Sequence, residues 1–308
     1  MTLDELAAAA PRSSPAPVPS WSQGCFHRRS IVYANGAEDT GGRAIWLQAQ
    51  GLAGDLYVPA WRPDVSAREG LHDCSVEELL ELAAVEGGVA DASWSNGTMS
   101  YDNPSAFQPY EQWPEPGLLQ RVGPSLIEFA PSGAYLEDWR LQPGASGLMV
   151  GLRLMFETGL DKLTRPRDGG LLIAGDHCLF ALDRHRPLPS QAPAQQQMRA
   201  AGDPYAFADM VFDGEVSYAR RQPDGTFKVA LSTHPFREGH AVPVTHGFCQ
   251  TSITDILRQQ LGEGDQRIVR QWRVDTLIAG AEIDPATDVD KAGAAWLKRE
   301  AKTLLRGL

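Results

Sequence analysis

Three side chains near the middle of the chain have types and spacing suited to proton transfer. Tyr135, Glu137 and Trp139 alternate with Leu136 and Asp138. On a β-strand the first three project from one face and the other two from the opposite face. Two strand steps separate the outer members by roughly 13 Å, about the length of one small ligand. If this face looks into a barrel, burial raises the glutamate pKa and suits Glu137 to shuttle protons, with Tyr135 beside it. The solvated alternative turns Leu136 inward and leaves Glu137 in water. Both arrangements satisfy the sequence. Glu128, in the run Leu126-Ile127-Glu128-Phe129, is a second carboxylate of the same kind. Trp139, Trp94 and Tyr101 are expected to contact substrate, and Tyr110 and Trp113 to stand near the mouth of such a pocket.

His177 is the second candidate for acid–base work. In Asp176-His177-Cys178-Leu179-Phe180-Ala181-Leu182 both faces of the alternation are largely apolar, so the imidazole is expected to be buried. A buried imidazole needs a partner on each nitrogen, a ligand or a proton-transfer role. One option is a core histidine bonded to a backbone carbonyl. Another is an axial haem ligand. His234 and Arg237 follow a run of alternating residues directly, where a turn presents them at a rim and Arg237 can grip a carboxylate. A loop ion pair from Arg237 to Glu238 or another acid is the competing reading. The remaining histidines show no HExxH motif and no Cys/His pair at zinc spacing, so no metal site is expected. GxSxG, GxGxxG and GxxxxGK[ST] are also missing.

These residues need short strands to hold them. Asn96-Gly97, Asp213-Gly214 and Asp224-Gly225 are two-residue hairpin signals, because Asx and Gly tolerate positive φ. Further turns are expected at Asn35-Gly36, Asp102-Asn103-Pro104, Pro116-Gly117, Pro131-Ser132-Gly133 and Pro143-Gly144. Strands are predicted over residues 26–33, 43–48, 54–59, 125–129, 134–139 and 147–156. Later ones fall in residues 171–182, 207–212, 215–220, 226–232 and 269–278. In the third of these, Leu56 and Val58 oppose Asp55 and Tyr57. Ser75 and Glu78 form a capping box for a helix that ends at Gly87-Gly88. A short helix is predicted over residues 194–201 and a longer one over 285–305. Residues 1–20, interrupted by four prolines after Ala10, read as a loose arm. The polar break Arg165-Pro166-Arg167-Asp168-Gly169-Gly170 divides the rest into lobes of residues 21–164 and 165–308. The order strands, helix, strands is a mainly β pattern and argues against a βαβ architecture.

The chain has 308 residues, 43% hydrophobic and 22% charged, the balance of a globular protein. Its formal net charge of −11 repels phosphate backbones, so nucleic acid is not an expected partner. Four widely spaced cysteines are expected as reduced, mostly buried thiols. The N-terminus lacks a basic-then-apolar leader, and no apolar run approaches the ~20 residues that span a bilayer. A cytoplasmic location and no membrane partner are therefore expected.

The turn-punctuated strands of residues 26–156 and 207–278 resemble the lipocalin-like (calycin) group, in which antiparallel meanders close around a small-molecule pocket. The two-lobed pattern is similar to the lipocalin-like cyclases and hydratases. The resemblance implies two antiparallel barrel or half-barrel lobes and a small apolar or aromatic ligand; it brings no catalytic residue with it. Three functions follow. The first is a cofactor-free lyase, isomerase or cyclase moving a proton. The second is a carrier of a hydrophobic ligand, haem included. The third is a protein-interaction module built on the acidic surface and the terminal helix.

Overall fold

The computed structural model describes residues 1–110, 115–242 and 246–284, with 295, 298 and 299. Apart from residues 295, 298 and 299, which are helical, the helix expected over 285–305 lies outside the described residues, as does Trp113. The chain is mainly β, as the turn spacing predicts.

The first sheet contains β1 (Gly24–Tyr33), β2 (Glu38–Asp39), β3 (Arg43–Gln48), β4 (Leu52–Val58) and β5 (Glu86–Ser95). It continues through β6 (Thr98–Ala106), β7 (Gly117–Val122), β8 (Ser125–Phe129) and β9 (Tyr135–Leu141). All neighbours are antiparallel, and β9 returns to pair with β1, which closes eight of these strands into a barrel with β2 on its rim. Closure removes the free edges that an open meander would expose. The Asn96-Gly97 turn joins β5 to β6 with φ of 50° and 85°, the left-handed values this dipeptide allows. Asp102-Asn103-Pro104, expected as a turn, lies within β6; Asn103 takes a φ of 51° and the register against β5 slips between Val89 and Asp91. The positive φ is absorbed as an irregularity in a continuing strand.

The second sheet contains β10 (Gly147–Thr158), β11 (Thr164–Pro166), β12 (Gly169–Ala174), β13 (His177–Leu182) and β14 (Glu215–Arg221). Its other strands are β15 (Phe227–Ser232), β16 (Ala241–Val242), β17 (Phe248–Gln250), β18 (Ile256–Leu261) and β19 (Ile268–Ala281). They curl into a half-barrel in the order β16-β15-β14-β13-β12-β10-β19-β18-β17, with β11 paired to β10. Sheet membership changes at residues 142–146, before the polar break at Arg165, because β10 pairs with β12 and β19.

Four helices complete the described fold: α1 (Leu3–Ala9), α2 (Val76–Leu82), α3 (Ala194–Ala200) and α4 (Pro204–Val211). The capping box on α2 is formed, with Ser75 accepting from the Glu78 N–H and Glu78 from the Ser75 N–H. Residues 207–212, predicted as a strand, are instead the end of α4 and its C-cap, Phe212. Asp203 caps that helix and Pro204 occupies its first turn, so the local start signal overrides the apolar run. Asp213-Gly214 accordingly leads from α4 into β14 and is not a hairpin. The N-terminal arm is docked: α1 packs on β19, and Arg12 and Leu277 exchange backbone hydrogen bonds.

The core has three parts. One face of the half-barrel, with Leu152, Phe180 and Trp272, is filled by Leu3 and Leu6 from α1. Between the sheets, Ile45, Leu47 and Leu56 from the barrel wall meet Leu172, Leu179 and Tyr218, with α2, α3 and α4 packed at the side. A third cluster, with Phe26, Trp46, Met99, Leu126 and Trp139, lies inside the barrel. Cys25, Cys74 and Cys178 are buried and Cys249 is exposed. No helix among the described residues is long and apolar enough to cross a membrane.

Leu6 is fully buried. Leu6→Ala is expected to lower unfolding free energy by about 2–5 kcal/mol in chemical denaturation, the usual cost of a core truncation. A change under about 0.5 kcal/mol would mean that the arm is not part of the core.

Candidate functional site

The barrel interior is only partly filled by hydrophobic side chains. It retains a cavity of about 380 Å³, within the range of small-molecule sites. Tyr135, Glu137 and Trp139 all reach it from β9, so the inward alternative of their alternation is the one the fold adopts. Glu128 and Tyr101 reach it from β8 and β6. Glu128 sits directly opposite Glu137 in the β8–β9 ladder, and cross-strand partners share a face. The two side chains are nearly sealed from water, with 7% and 8% of Glu128 and Glu137 exposed.

Like charges this close and this desolvated cannot both persist without help. Help comes from Arg28. Its Nη1 donates to Glu137 Oε1 at 2.7 Å, and its Nη2 donates to Asp39 Oδ2 at 3.2 Å. Trp139 Nε1 donates to the other Glu137 oxygen at 3.1 Å. The Tyr57 hydroxyl donates to Asp39 at 3.0 Å and its ring lies under the Arg28 guanidinium, 4.9 Å from centroid to Cζ. Arg28 shares the inward face of Phe26 two residues before it, and the β1–β9 ladder shifts register between Arg28 and Ser30. A bulge reverses the in–out parity of a strand. Arg28 before it and Ile31 and Tyr33 after it therefore all line the cavity.

The outcome is an unequal pair. Burial, then the charge of Glu137, raises Glu128 from 4.5 to about 8. Burial also raises Glu137, against the opposing pull of Arg28. The Arg28 guanidinium and the Trp139 N–H favour the ionised form of Glu137, so Glu128 is the member of the pair that more readily keeps its proton. Environments that push two carboxyls apart in this way separate acid from base. Burial lifts the phenols of Tyr101 and Tyr135 well above their ordinary range, so both remain neutral donors. Tyr57 is pushed up to about 12 by burial and by its bond to Asp39.

The other expected site residues are elsewhere. His177 is buried between the sheets, with Nδ1 2.7 Å from the Tyr218 hydroxyl and Nε2 3.0 Å from the Pro143 carbonyl oxygen. Both nitrogens are engaged, so it is a bonded core histidine, and an iron would have to displace one partner. Trp94 packs edge-on against Trp21, with centroids 5.1 Å apart, and does not line the cavity. His234 lies between Phe212 and Phe236 beside the second sheet. Arg237 pairs with Glu215 at 3.1 Å, the loop ion pair with a different acid from its neighbour Glu238. Tyr110 donates to Glu86, which itself lines the cavity. Among the described residues no cluster of three or more His, Cys, Asp or Glu side chains is arranged to hold a metal ion.

Sequence reasoning missed Arg28, Trp46, Asp55, Tyr57 and Glu86 as site residues. Asp55 and Tyr57 carried a readable signal, since they alternate with the buried Leu56 and Val58. Arg28 alternates with Phe26, but the bulge after it breaks that alternation along the rest of β1 and hides the shared face. Comparison with protein-family models, curated proteins and solved structures gave no match.

The folded chain holds the Glu128 proton up to about pH 8, whereas the unfolded chain releases it near 4.5. Ionisation therefore favours unfolding as pH rises through that interval. Glu128→Gln is expected to unfold at a higher temperature than the parent at pH 9, with the gap closing at pH 4 to 5. Equal pH dependence of the two melting curves would show that Glu128 titrates normally.

Proposed function

We propose that the barrel cavity is the active site of a cofactor-free enzyme of the lyase, isomerase or cyclase type. It transfers a proton to or from a small apolar or aromatic molecule. The observation that carries this reading is the Glu128–Glu137 pair, set face to face in the barrel with Arg28 on one member only. Glu128 is the proton-transferring residue and acts first as an acid. Glu137 is a fixed negative charge that keeps Glu128 protonated and stabilises positive charge developing on the substrate. Trp46, Trp139 and Tyr101 shape the apolar walls. Kinship with lipocalin-like proteins belongs to the same proposal, supported by an eight-stranded closure around a ligand-sized cavity. So does a cytoplasmic location, which the buried thiols of Cys25, Cys74 and Cys178 support.

A second reading, a non-catalytic carrier of the same fold, is favoured by one observation. Both oxygens of Glu137 are already bonded inside the protein, one to Arg28 and one to Trp139.

Benzyl vinyl ether separates the two readings, because its hydrolysis begins with proton transfer from an acid to carbon. The parent protein is expected to hydrolyse it, with a rate constant below about pH 8 and falling above that value, since the protonated form of Glu128 is active. Glu128→Gln should lose about 10²–10⁴-fold. Glu137→Gln should move the pH midpoint down, because a nearby negative charge is gone. A parent rate equal to that of Glu128→Gln leaves the carrier reading in place.

A further inference from the structure

Arg28 serves two carboxylates, and only one of them lines the cavity. Its Nη1 donates to Glu137 at 2.7 Å and its Nη2 to Asp39 at 3.2 Å. The guanidinium is held between them, over the Tyr57 ring. Glu128 stands opposite Glu137 in the β8–β9 ladder, yet among the described residues it is paired with no cation. A guanidinium free to move beside two facing carboxylates would bridge them, because its planar fork presents several N–H groups at once. Here the second Nη is engaged by Asp39 instead.

Asp39 is itself firmly held. It belongs to β2, the two-residue rim strand, and stands opposite Ile31, beyond the bulge of β1. Its Oδ1 accepts from the N–H groups of Gly41 and Gly42, at 3.0 and 2.9 Å. Its Oδ2 accepts from the Tyr57 hydroxyl at 3.0 Å and from Arg28. The loop closes this tightly because residue 42 is glycine. A Cβ there would stand 2.6 Å from Asp39 Oδ2 and overlap the Tyr57 ring. Burial pushes the Asp39 carboxyl up, but the two N–H groups, the Tyr57 hydroxyl and Arg28 outweigh it and hold the group below the ordinary carboxylate range. Asp39 is therefore a constant negative charge across the interval in which Glu128 titrates. It lies outside the cavity wall, so it acts on the glutamate pair through Arg28.

We propose that Asp39 is a positioning residue that tethers the Arg28 guanidinium to the barrel rim, so that it reaches Glu137 and not Glu128 and the two glutamates stay unequal. The proposal rests on Glu128 being the acid of the site and names what preserves that role. Glu128 is faced by Glu137, Tyr135 and Trp139 from β9, by Tyr101 from β6 and by Asp55 from β4. Arg28 is faced by Glu137 from β9, Asp39 from β2 and Tyr57 from β4. Without the tether Arg28 would span both glutamates, and a cation brought nearer to Glu128 favours its ionised form.

The test is a carbon-13 NMR titration of the Glu128 carboxyl in the full chain, which needs no substrate. Asp39→Asn keeps the side chain's size and its acceptor for Gly41 and Gly42 but removes the charge that holds Arg28. It should lower the Glu128 midpoint by at least about one pH unit, a tenfold rise in the ionisation constant. Glu38→Gln removes the same charge from the neighbouring position, where the side chain is exposed. Solvent and salt screen that charge, so the midpoint should move by less than about 0.3 of a unit. Gly42→Ala crowds Asp39 Oδ2 while keeping its charge; it should lower the midpoint too, and it serves if Asp39→Asn fails to fold. The pH at which vinyl ether turnover falls should move down with the midpoint. A midpoint unchanged or raised in Asp39→Asn overturns the proposal, as does an equal fall in Glu38→Gln. An unmoved midpoint beside Glu128-dependent turnover sinks the tether alone. A lowered midpoint in a protein without such turnover supports the tether and sinks the catalytic reading alone.

Discussion

Two glutamates face each other across neighbouring strands inside a closed barrel, and one guanidinium cannot neutralise both. The electrostatics of the cavity follow from that constraint. Arg28 donates to Glu137 and favours its carboxylate form against the burial that opposes it. Glu128 is left against a negative neighbour in a desolvated wall, and the lower-energy state keeps its proton. A barrel built for stability alone would fill this space with aliphatic side chains. Unbalanced buried charge is costly, and strongly perturbed carboxyls in clefts cluster at functional sites.

The second sheet acts on this site from outside. Strands β3 and β4 present Trp46, Asp55 and Tyr57 inward, and their opposite faces bury Ile45, Leu47, Leu56 and Val58 against the half-barrel and helices. The approach is close: a Cβ on Gly54 would come within 2.7 Å of Leu179 Cδ2. Gly51 on the β3–β4 turn donates to Asp275 of β19 at 2.9 Å. These contacts hold β3 and β4 on the side away from the cavity. The face of the half-barrel turned away from the first barrel is occupied by α1 and the core around Trp272, whereas the first barrel encloses open space.

Much of this was legible in the chain because strand alternation is a local code. Alternation alone set Tyr135, Glu137 and Trp139 on one face and separated Asp55 and Tyr57 from Leu56 and Val58. Asn96-Gly97 marked its hairpin for an equally local reason. What was illegible depends on partners distant in sequence. The pairing of β10 with β19 has no local signature, so that strand seemed to continue the first lobe. The Arg28–Glu137 contact joins residues 109 apart, and without it Glu137 looked the freer acid. Only the ladder shows Glu128 opposite Glu137. His177 was rightly expected to be buried, yet its use hinged on Tyr218 and Pro143, which periodicity cannot supply. Residues 207–212 are a different case. Asp203-Pro204 is a readable helix start that the apolar run obscured.

The central claim is that burial and the facing Glu137 keep a proton on Glu128 at neutral pH. Carbon-13 NMR of glutamate labelled at the side-chain carboxyl reports this directly, with Glu128→Gln identifying the resonance. The account requires the assigned signal to titrate with a midpoint near 8. A midpoint between 4 and 5, the ordinary glutamate range, would contradict it.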